Sequence, residues 1–125
     1  MSAVARTPSR QMVLRGADGS VVCERCTLAN TPLLRMRGLL GRSGLEPGEG
    51  LLLEPASSIH MFFMRFAIDA VFLDRDLVVR KVVADLKPWR MACARGSKQV
   101  LELPAGEAGR RGVKPGDRLV LADAA

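Results

Sequence analysis

Short apolar runs separated by turn-forming residues dominate the chain, and this pattern is typical of β-strands. The runs are too short for long helices, and many are bounded by Gly, Pro, Asn or Asp. We predict seven or so short strands among eight such runs, at 11–15, 21–28, 50–53, 59–63, 69–73, 77–83, 100–103 and 118–122.

Two segments have helical signals instead. Asn30 and Pro32 form a helix start, and apolar residues at helical spacing follow over 32–40. Residues 104–111 form a second candidate helix, which Gly112 ends. We therefore predict a mainly β fold, a compact single-domain β-barrel or β-sandwich with two short helices. It spans residues 11–125 after a flexible N-terminal tail at 1–10.

Composition narrows the function classes. The chain has one tryptophan and no tyrosine, which argues against the aromatic platform of a single-strand nucleic-acid binder. The net charge of +6 is concentrated before position 43, where seven arginines face only Asp18 and Glu24. This basic third is either a solvated surface or a contact for phosphates or an acidic partner. Without a nucleic-acid-binding motif, we do not expect nucleic acid as the partner.

The sequence also bears on the location of the protein and on the redox state of its cysteines. No apolar run approaches the ~18 residues of a membrane span, and the first ten residues lack the hydrophobic stretch of a signal peptide. Three cysteines are an odd number, which disfavours a secreted disulfide framework. We expect a cytoplasmic monomer that needs no cofactor.

The segment 58–69 holds the only histidine and three of the four phenylalanines. On a strand, His60, Phe62 and Met64 share one face. Asp69 stands in the next apolar run, so we expect that His60 and Asp69 can approach each other. A histidine beside a carboxylate suits a general base or a supported metal ligand, and an internal ion pair is the structural alternative.

Three further residues belong to the candidate site. Trp89 and Arg90 follow the long strand, and a tryptophan beside an arginine is either a contact residue or a cap on one end of the fold. Glu102 lies between two leucines, so it either faces solvent or adds a carboxylate to the cleft. The predicted ligand-binding residues are His60, Met64, Asp69, Trp89, Arg90 and Glu102.

Cys23 and Cys26 have the C-x-x-C spacing of zinc and redox sites. With Cys93 and His60 they supply the four ligands that zinc requires. However, residues three apart on a strand face opposite sides, so we treat these cysteines as weak metal candidates and predict no metal.

Several motifs in order resemble one family. They are Gly38-Leu39-Leu40-Gly41-Arg42, Gly48-Glu49-Gly50, the run from Ile59 to Asp69, Lys87-Pro88-Trp89-Arg90, the run from Val100 to Gly106, and Gly112-Val113-Lys114-Pro115-Gly116-Asp117. Together they are similar to the bacterial and archaeal domain of unknown function 192, over roughly positions 20 to 121. The resemblance implies a small β-sandwich or barrel and no established activity. Ala67 stands where members often have proline, and the Cys23 and Cys26 pair is outside the family pattern.

The favoured interpretation is a binding module, with a pocket rimmed by His60, Asp69, Trp89 and Arg90, for an anionic small ligand or an acidic peptide segment. One alternative is a hydrolytic or metal-assisted enzyme in which Asp69 orients His60. Another is a basic accessory protein that docks onto a larger assembly through its N-terminal third. The residues do not identify a reaction, so we favour binding over catalysis.

Overall fold

Nine β-strands and one short helix form the computed structural model, which describes residues 11–29 and 42–123. The strands are β1 (Gln11–Gly16), β2 (Val21–Ala29), β3 (Glu49–Leu53), β4 (Ser58–His60), β5 (Ile68–Leu73), β6 (Val79–Leu86), β7 (Met91–Cys93), β8 (Gln99–Pro104) and β9 (Leu119–Asp123), and the helix is α1 (Glu107–Arg110). The prediction of a mainly β fold is confirmed. The predicted tail at 1–10 and helix at 32–40 lie outside the described residues.

Seven strands form one sheet in the order β6-β5-β8-β3-β2-β1-β9, and all neighbours are antiparallel except β2 and β3. The sheet curls until its two edge strands meet at one end, where Val78 bridges to Arg118. Hydrogen bonds from Val79 N–H to the Asp117 carbonyl (2.8 Å) and from Leu119 N–H to the Leu77 carbonyl (2.9 Å) hold this contact, which we call the seam. The sheet is open beyond the seam and does not form a closed barrel.

The inside of the curl holds the first of two apolar clusters. This inner core takes residues from all seven strands of the sheet, together with Ala108 of α1 and Val113 after it. Alternation along the strands selects its members, since Val71 and Leu73 of β5 and Leu101 and Leu103 of β8 point inward.

The opposite face of the central strands carries the second cluster, the outer core. Ile68, Ala70 and Phe72 of β5 point to this side. A ribbon of two antiparallel strands, β4 and β7, supports the cluster, with Ile59 contributed by β4. Because both faces of β5 are covered, all its residues are buried, as the continuous apolar run predicts.

The structure differs from the prediction around the ribbon. Strand β4 ends at His60, whereas the sequence predicted a strand over 59–63, and the residues after it turn back toward β5. Strand β7 was not predicted, because its three residues have no period of their own. In the described part of the chain, α1 has four residues and no helix is long and apolar enough to span a membrane.

Candidate functional site

A group of partly and largely exposed rings lies at one end of the β4–β7 ribbon. We call these rings, together with the Met91 side chain opposite His60, the aromatic surface. Its members are His60, Phe62, Phe63, Trp89 and Met91. The His60 and Phe62 rings stack with centroids 4.7 Å apart, and Phe62 stacks on Trp89 at 5.8 Å. Phe63 meets Trp89 edge-on at 4.9 Å. Phe63 is 73% exposed, Met91 66% and Trp89 59%, so most of this apolar area faces water.

Strand alternation in the ribbon explains why these side chains point outward. His60 is directly opposite Met91 across the ribbon, and both are exposed. Ile59 is opposite Ala92, and both pack on the outer core. Because cross-strand partners share a face, the outer core fixes His60 and Met91 on the solvent side.

Two turns complete the surface and are joined through their backbones. Met61 N–H donates to the Arg90 carbonyl, and Trp89 N–H donates to the Met61 carbonyl, each at 2.8 Å. The turn that follows β4 and the turn that precedes β7 are therefore held together. This connection places Phe63 of the first turn against Trp89 of the second.

Both of these exposed aromatic residues have left-handed backbone conformations. Phe63 has φ of 66° and Trp89 has φ of 71°, a region that costs a residue with a Cβ about 1–2 kcal/mol. Strain of this kind persists where the surrounding structure imposes it, and it concentrates at functional sites. The strained turns hold the two rings in solvent rather than over the core.

Three cationic side chains lie near these rings in the sequence. Arg65, Lys87 and Arg90 are all exposed and close to them in sequence. Lys87 pairs with Asp85 at 2.6 Å. Arg65 and Arg90 form no ion pair with any described residue, so their charges are available to a partner.

The structure brings four of the six predicted ligand-binding residues to this end of the ribbon. His60 and Trp89 are in the ring cluster, and Arg90 is beside Trp89. Met64 is half-buried and packs against the outer core beneath the turn. The other two, Asp69 and Glu102, lie elsewhere.

Asp69 lies on the inner-core side of β5, and its carboxylate accepts three backbone hydrogen bonds. The donors are the N–H groups of Asp85 (2.9 Å), Gly106 (3.0 Å) and Ala108 (2.9 Å). Two of these belong to the start of α1, where the capping residue Gly106 has no side chain to offer, so Asp69 caps the helix from a neighbouring strand. The ribbon is on the other side of the sheet. The predicted approach of His60 to Asp69 is therefore wrong, and with it the expected pocket rim.

Glu102 is buried on the outer-core side, directly between Leu51 and Ala70. It is 5% exposed, and no described residue donates a hydrogen bond to its carboxyl group. Burial raises the pKa of Glu102 to about 8, so this group is largely protonated at neutral pH. Both predicted alternatives, solvent exposure and a place in a cleft beside His60, are wrong.

Cys23 and Cys26 face the same side of β2, contrary to the alternation argument. Their partners on β1 are Leu14 and Met12, which are two residues apart, whereas the cysteines are three apart. The extra residue in β2 is a β-bulge, which resets the alternation. Both thiols are fully buried in the inner core.

The four proposed zinc ligands do not come together. Cys93 and His60 lie on the ribbon, exposed, whereas Cys23 and Cys26 lie inside the curled sheet. Across residues 11–29 and 42–123, no three His, Cys, Asp or Glu side chains are placed to hold a metal ion.

A polar groove of about 380 Å³ is lined by none of the residues of the aromatic surface. The β1–β2 turn and the loop after α1 line it, with Asp18, Arg111, Lys114, Asp117 and Arg118 among its residues. It contains none of the predicted ligand-binding residues. Arg111 is already engaged there by Glu24 at 2.8 Å and by Glu107 at 3.0 Å.

Sequence reasoning missed Phe62, Phe63 and Met91. The concentration of phenylalanines at 62–66 was a usable signal, but strand alternation assigned Phe63 to the face opposite His60. Only the early end of β4 and the left-handed backbone of Phe63 turn this ring toward Trp89. Met91 carried no signal, because β7 was not predicted.

Known proteins resemble the chain over half of its length or more. The sequence profile of the DUF192 family, an uncharacterised ACR, matches residues 13–121. A UPF0127 protein of Thermococcus sibiricus is 34% identical over 103 residues, covering 76% of this chain and 64% of the relative. A UPF0127 protein of Pyrococcus furiosus is 41% identical over 64 residues, covering 50% of this chain and 54% of the relative. The chain thus spans less than two thirds of the length of the curated relatives it matches.

Two crystal structures share the fold. A candidate transcription regulator from Sinorhizobium meliloti 1021 superposes with a TM-score of 0.79 at 28% identity, covering 91% of this chain and 94% of that one. A protein of unknown function from Novosphingobium aromaticivorans gives a TM-score of 0.76 at 27% identity, covering 96% of both chains.

Proposed function

We propose that this chain, which belongs to the DUF192 family of uncharacterised proteins, is a binding module whose aromatic surface takes an acidic peptide segment of a partner protein. The observation that carries the proposal is the pair of exposed rings, Phe63 and Trp89, held toward solvent by left-handed backbones. Exposed apolar rings held in this way are typical of a surface that a partner covers.

The energetic argument rests on apolar area. Burying apolar surface is worth about 25 cal/mol per Å², and the rings of Phe63 and Trp89 together with the Met91 side chain leave most of theirs in water. Tryptophan and arginine are the residues that most often dominate binding energy at interfaces. Trp89 and Arg90 are adjacent here.

The choice of an acidic peptide follows from charge and shape. Arg65 and Arg90 have no ion pair in the described structure, and they lie within two residues of Phe63 and Trp89 in the sequence. Sites for small molecules are usually concave and enclose the ligand, whereas these rings stand in solvent. A segment with acidic residues beside an apolar one would use both the rings and the two charges.

Other function classes have less support. The enzyme alternative depended on His60 beside Asp69, which the fold separates. The similar Sinorhizobium protein is named as a candidate transcription regulator. We do not propose DNA binding, because the sequence contains no nucleic-acid-binding motif. We place the module in the cytoplasm, where its free cysteines would stay reduced.

Trp89 makes this proposal directly measurable, since it is the only tryptophan and the chain has no tyrosine. The probes are three synthetic peptides of equal length without tyrosine or tryptophan: all glutamate, glutamate with a central leucine pair, and lysine with the same pair. We expect a blue shift of Trp89 emission with the glutamate–leucine peptide only, and an affinity that falls as salt rises.

Matched substitutions test the location. Phe63→Ser should weaken binding at least about tenfold, which corresponds to about 1.4 kcal/mol, and Arg90→Glu should remove most of the salt dependence. Val120→Ser and Arg118→Glu change an exposed apolar residue and an arginine on or beside β9, away from this surface, and should leave the affinity unchanged. A response to phosphatidylglycerol vesicles but to no peptide would overturn the acidic-peptide assignment.

A further inference from the structure

The sulfur of Cys23 lies over Gly50, the residue of β3 that pairs with Cys26. A Cβ on Gly50 would be 2.7 Å from Cys23 Sγ, so the sulfur fills the space that a side chain at position 50 would need. Neighbouring strands are ~4.8 Å apart, and Cys26 projects from β2 on this same side. The absent side chain of Gly50 therefore gives the two sulfurs room to meet.

The two thiols form a short hydrogen-bonded chain. Cys23 Sγ donates to the Gly48 carbonyl at 3.4 Å. The hydrogen bond with Cys26 lowers the pKa of Cys23, whereas the hydrogen bond with Cys23, together with burial, raises the pKa of Cys26. Of the pair, Cys23 is thus the one that becomes the thiolate first.

We propose that Cys23 and Cys26 form a redox-modification site, which closes to an intrachain disulfide when the protein meets a small peroxide. Two geometric observations support it: the bulge that turns both side chains to the inner-core side of β2, and the position of the Cys23 sulfur over Gly50, the register partner of Cys26. This site is separate from the aromatic surface and does not depend on the function proposed for that surface.

The chemistry balances with peroxide as the oxidant. The Cys23 thiolate attacks one oxygen of hydrogen peroxide, the O–O bond breaks, and protonation yields a sulfenic acid on Cys23 and one water. The Cys26 sulfur then attacks the Cys23 sulfur, the S–O bond breaks, and a second water leaves with the Cys26 proton. Two thiols lose two electrons to the peroxide in total. Because both sulfurs are fully buried, the first step requires a local opening of the sheet and is slower than oxidation of an exposed thiol.

Cys93 provides an internal comparison within the same molecule. It is exposed on β7 and has no described thiol beside it. Peroxide should therefore convert Cys93 first, and only to sulfenic or higher acids. The buried pair should react later and stop at the disulfide, which a reducing agent reverses.

Trypsin distinguishes these products because it cleaves after Arg25, between the two cysteines. The full-length reduced protein is treated with hydrogen peroxide for increasing times. It is then unfolded in the presence of N-ethylmaleimide, which blocks every remaining thiol, the buried ones included, before digestion without reductant. We expect peptides 16–25 and 26–35 to appear joined, about 2 Da lighter than their sum, and to separate on addition of dithiothreitol.

Two outcomes would overturn the site. One is that maleimide still labels all of Cys23 and Cys26 after peroxide has oxidised Cys93. The other is a joined product that links Cys93 to Cys23 or Cys26 instead. A Cys26→Ser variant checks the resolving step, since dithiothreitol should no longer return Cys23 to the thiol after prolonged peroxide. The peptide map of the unsubstituted protein does not depend on the folding of that variant.

Discussion

Two buried acidic residues on adjacent strands show how partners decide what a carboxyl group does. Asp69 and Glu102 are both almost inaccessible to water. Asp69 accepts three backbone N–H groups and caps α1, whereas Glu102 sits between Leu51 and Ala70 with no described donor. The first stabilises the fold as an acceptor, and the second is tolerated because it keeps its proton.

The raised pKa of Glu102 predicts an unusual pH dependence of stability. Its pKa is about 8 in the folded protein against an ordinary 4.5, so between these values the folded state holds a proton that the unfolded state has released. The free energy of unfolding should therefore fall by roughly 1.4 kcal/mol per pH unit across this window from this one group, and level off above it. Urea unfolding at several pH values between 5 and 9 measures this slope.

Glu102→Gln replaces the titrating carboxyl group by an amide that does not titrate. The slope of unfolding free energy against pH should therefore flatten, and the variant should be more stable than the parent at pH 8. Glu46→Gln, in the exposed loop before β3, is the matched control and should keep the parental slope. An unchanged slope in Glu102→Gln would show that this carboxyl group is not the source.

Asp69→Asn separates a structural role from a binding role. The amide replaces one acceptor oxygen by a donor, which leaves at least one of the backbone N–H groups of Gly106, Ala108 or Asp85 without its acceptor. We expect a loss of roughly 1–3 kcal/mol in unfolding free energy and unchanged binding of the acidic peptide by the folded variant. Asp76→Asn, on an exposed turn, should change neither quantity.

At the scale of elements, the ribbon and its two turns were the least predictable part of the fold. The apolar runs of β3, β5 and β8 are long enough to identify themselves, and their predicted bounds lie within a residue or two of the observed ones. The early end of β4, the bulge in β2 and the short β7 depend on contacts between distant segments, such as Met61 with Arg90. The sequence therefore indicated four residues that lie at this end of the ribbon, whose binding role stays a prediction, but it did not indicate the arrangement around them.

The left-handed turn at Phe63 makes a prediction of its own. Glycine adopts this backbone without cost, whereas alanine retains the strain. Since Phe63 is mostly exposed, little packing is lost, and Phe63→Gly should be more stable than Phe63→Ala by roughly 1 kcal/mol. Thermal or urea unfolding compares the two.

Phe62 is the control position, because its backbone is not left-handed. There the order should reverse, with Phe62→Ala more stable than Phe62→Gly. The same order at both positions would contradict the proposed strain at Phe63.

At the scale of the whole molecule, the seam joins the two edge strands, β6 and β9. The edges of the sheet should therefore open no more readily than its interior. The amides of Val79 and Leu119 donate across the seam, although each belongs to an edge strand. In hydrogen exchange we expect these two amides to be protected as strongly as those of the interior strand β5. Rapid exchange at both would show that the edges separate readily in solution.

The pairing of β9 with β1 joins the two ends of the described chain. Residues as distant as Met12 and Asp123 are register partners, and contacts of such long sequence separation slow the search for the native state. During synthesis β1 and β2 leave the ribosome before β9. Leu14 and Val22 therefore lack their packing against β9 until that strand has been made. Pairing of β9 with β1 thus completes this side of the inner core late in folding, and until then its uncovered apolar residues favour aggregation.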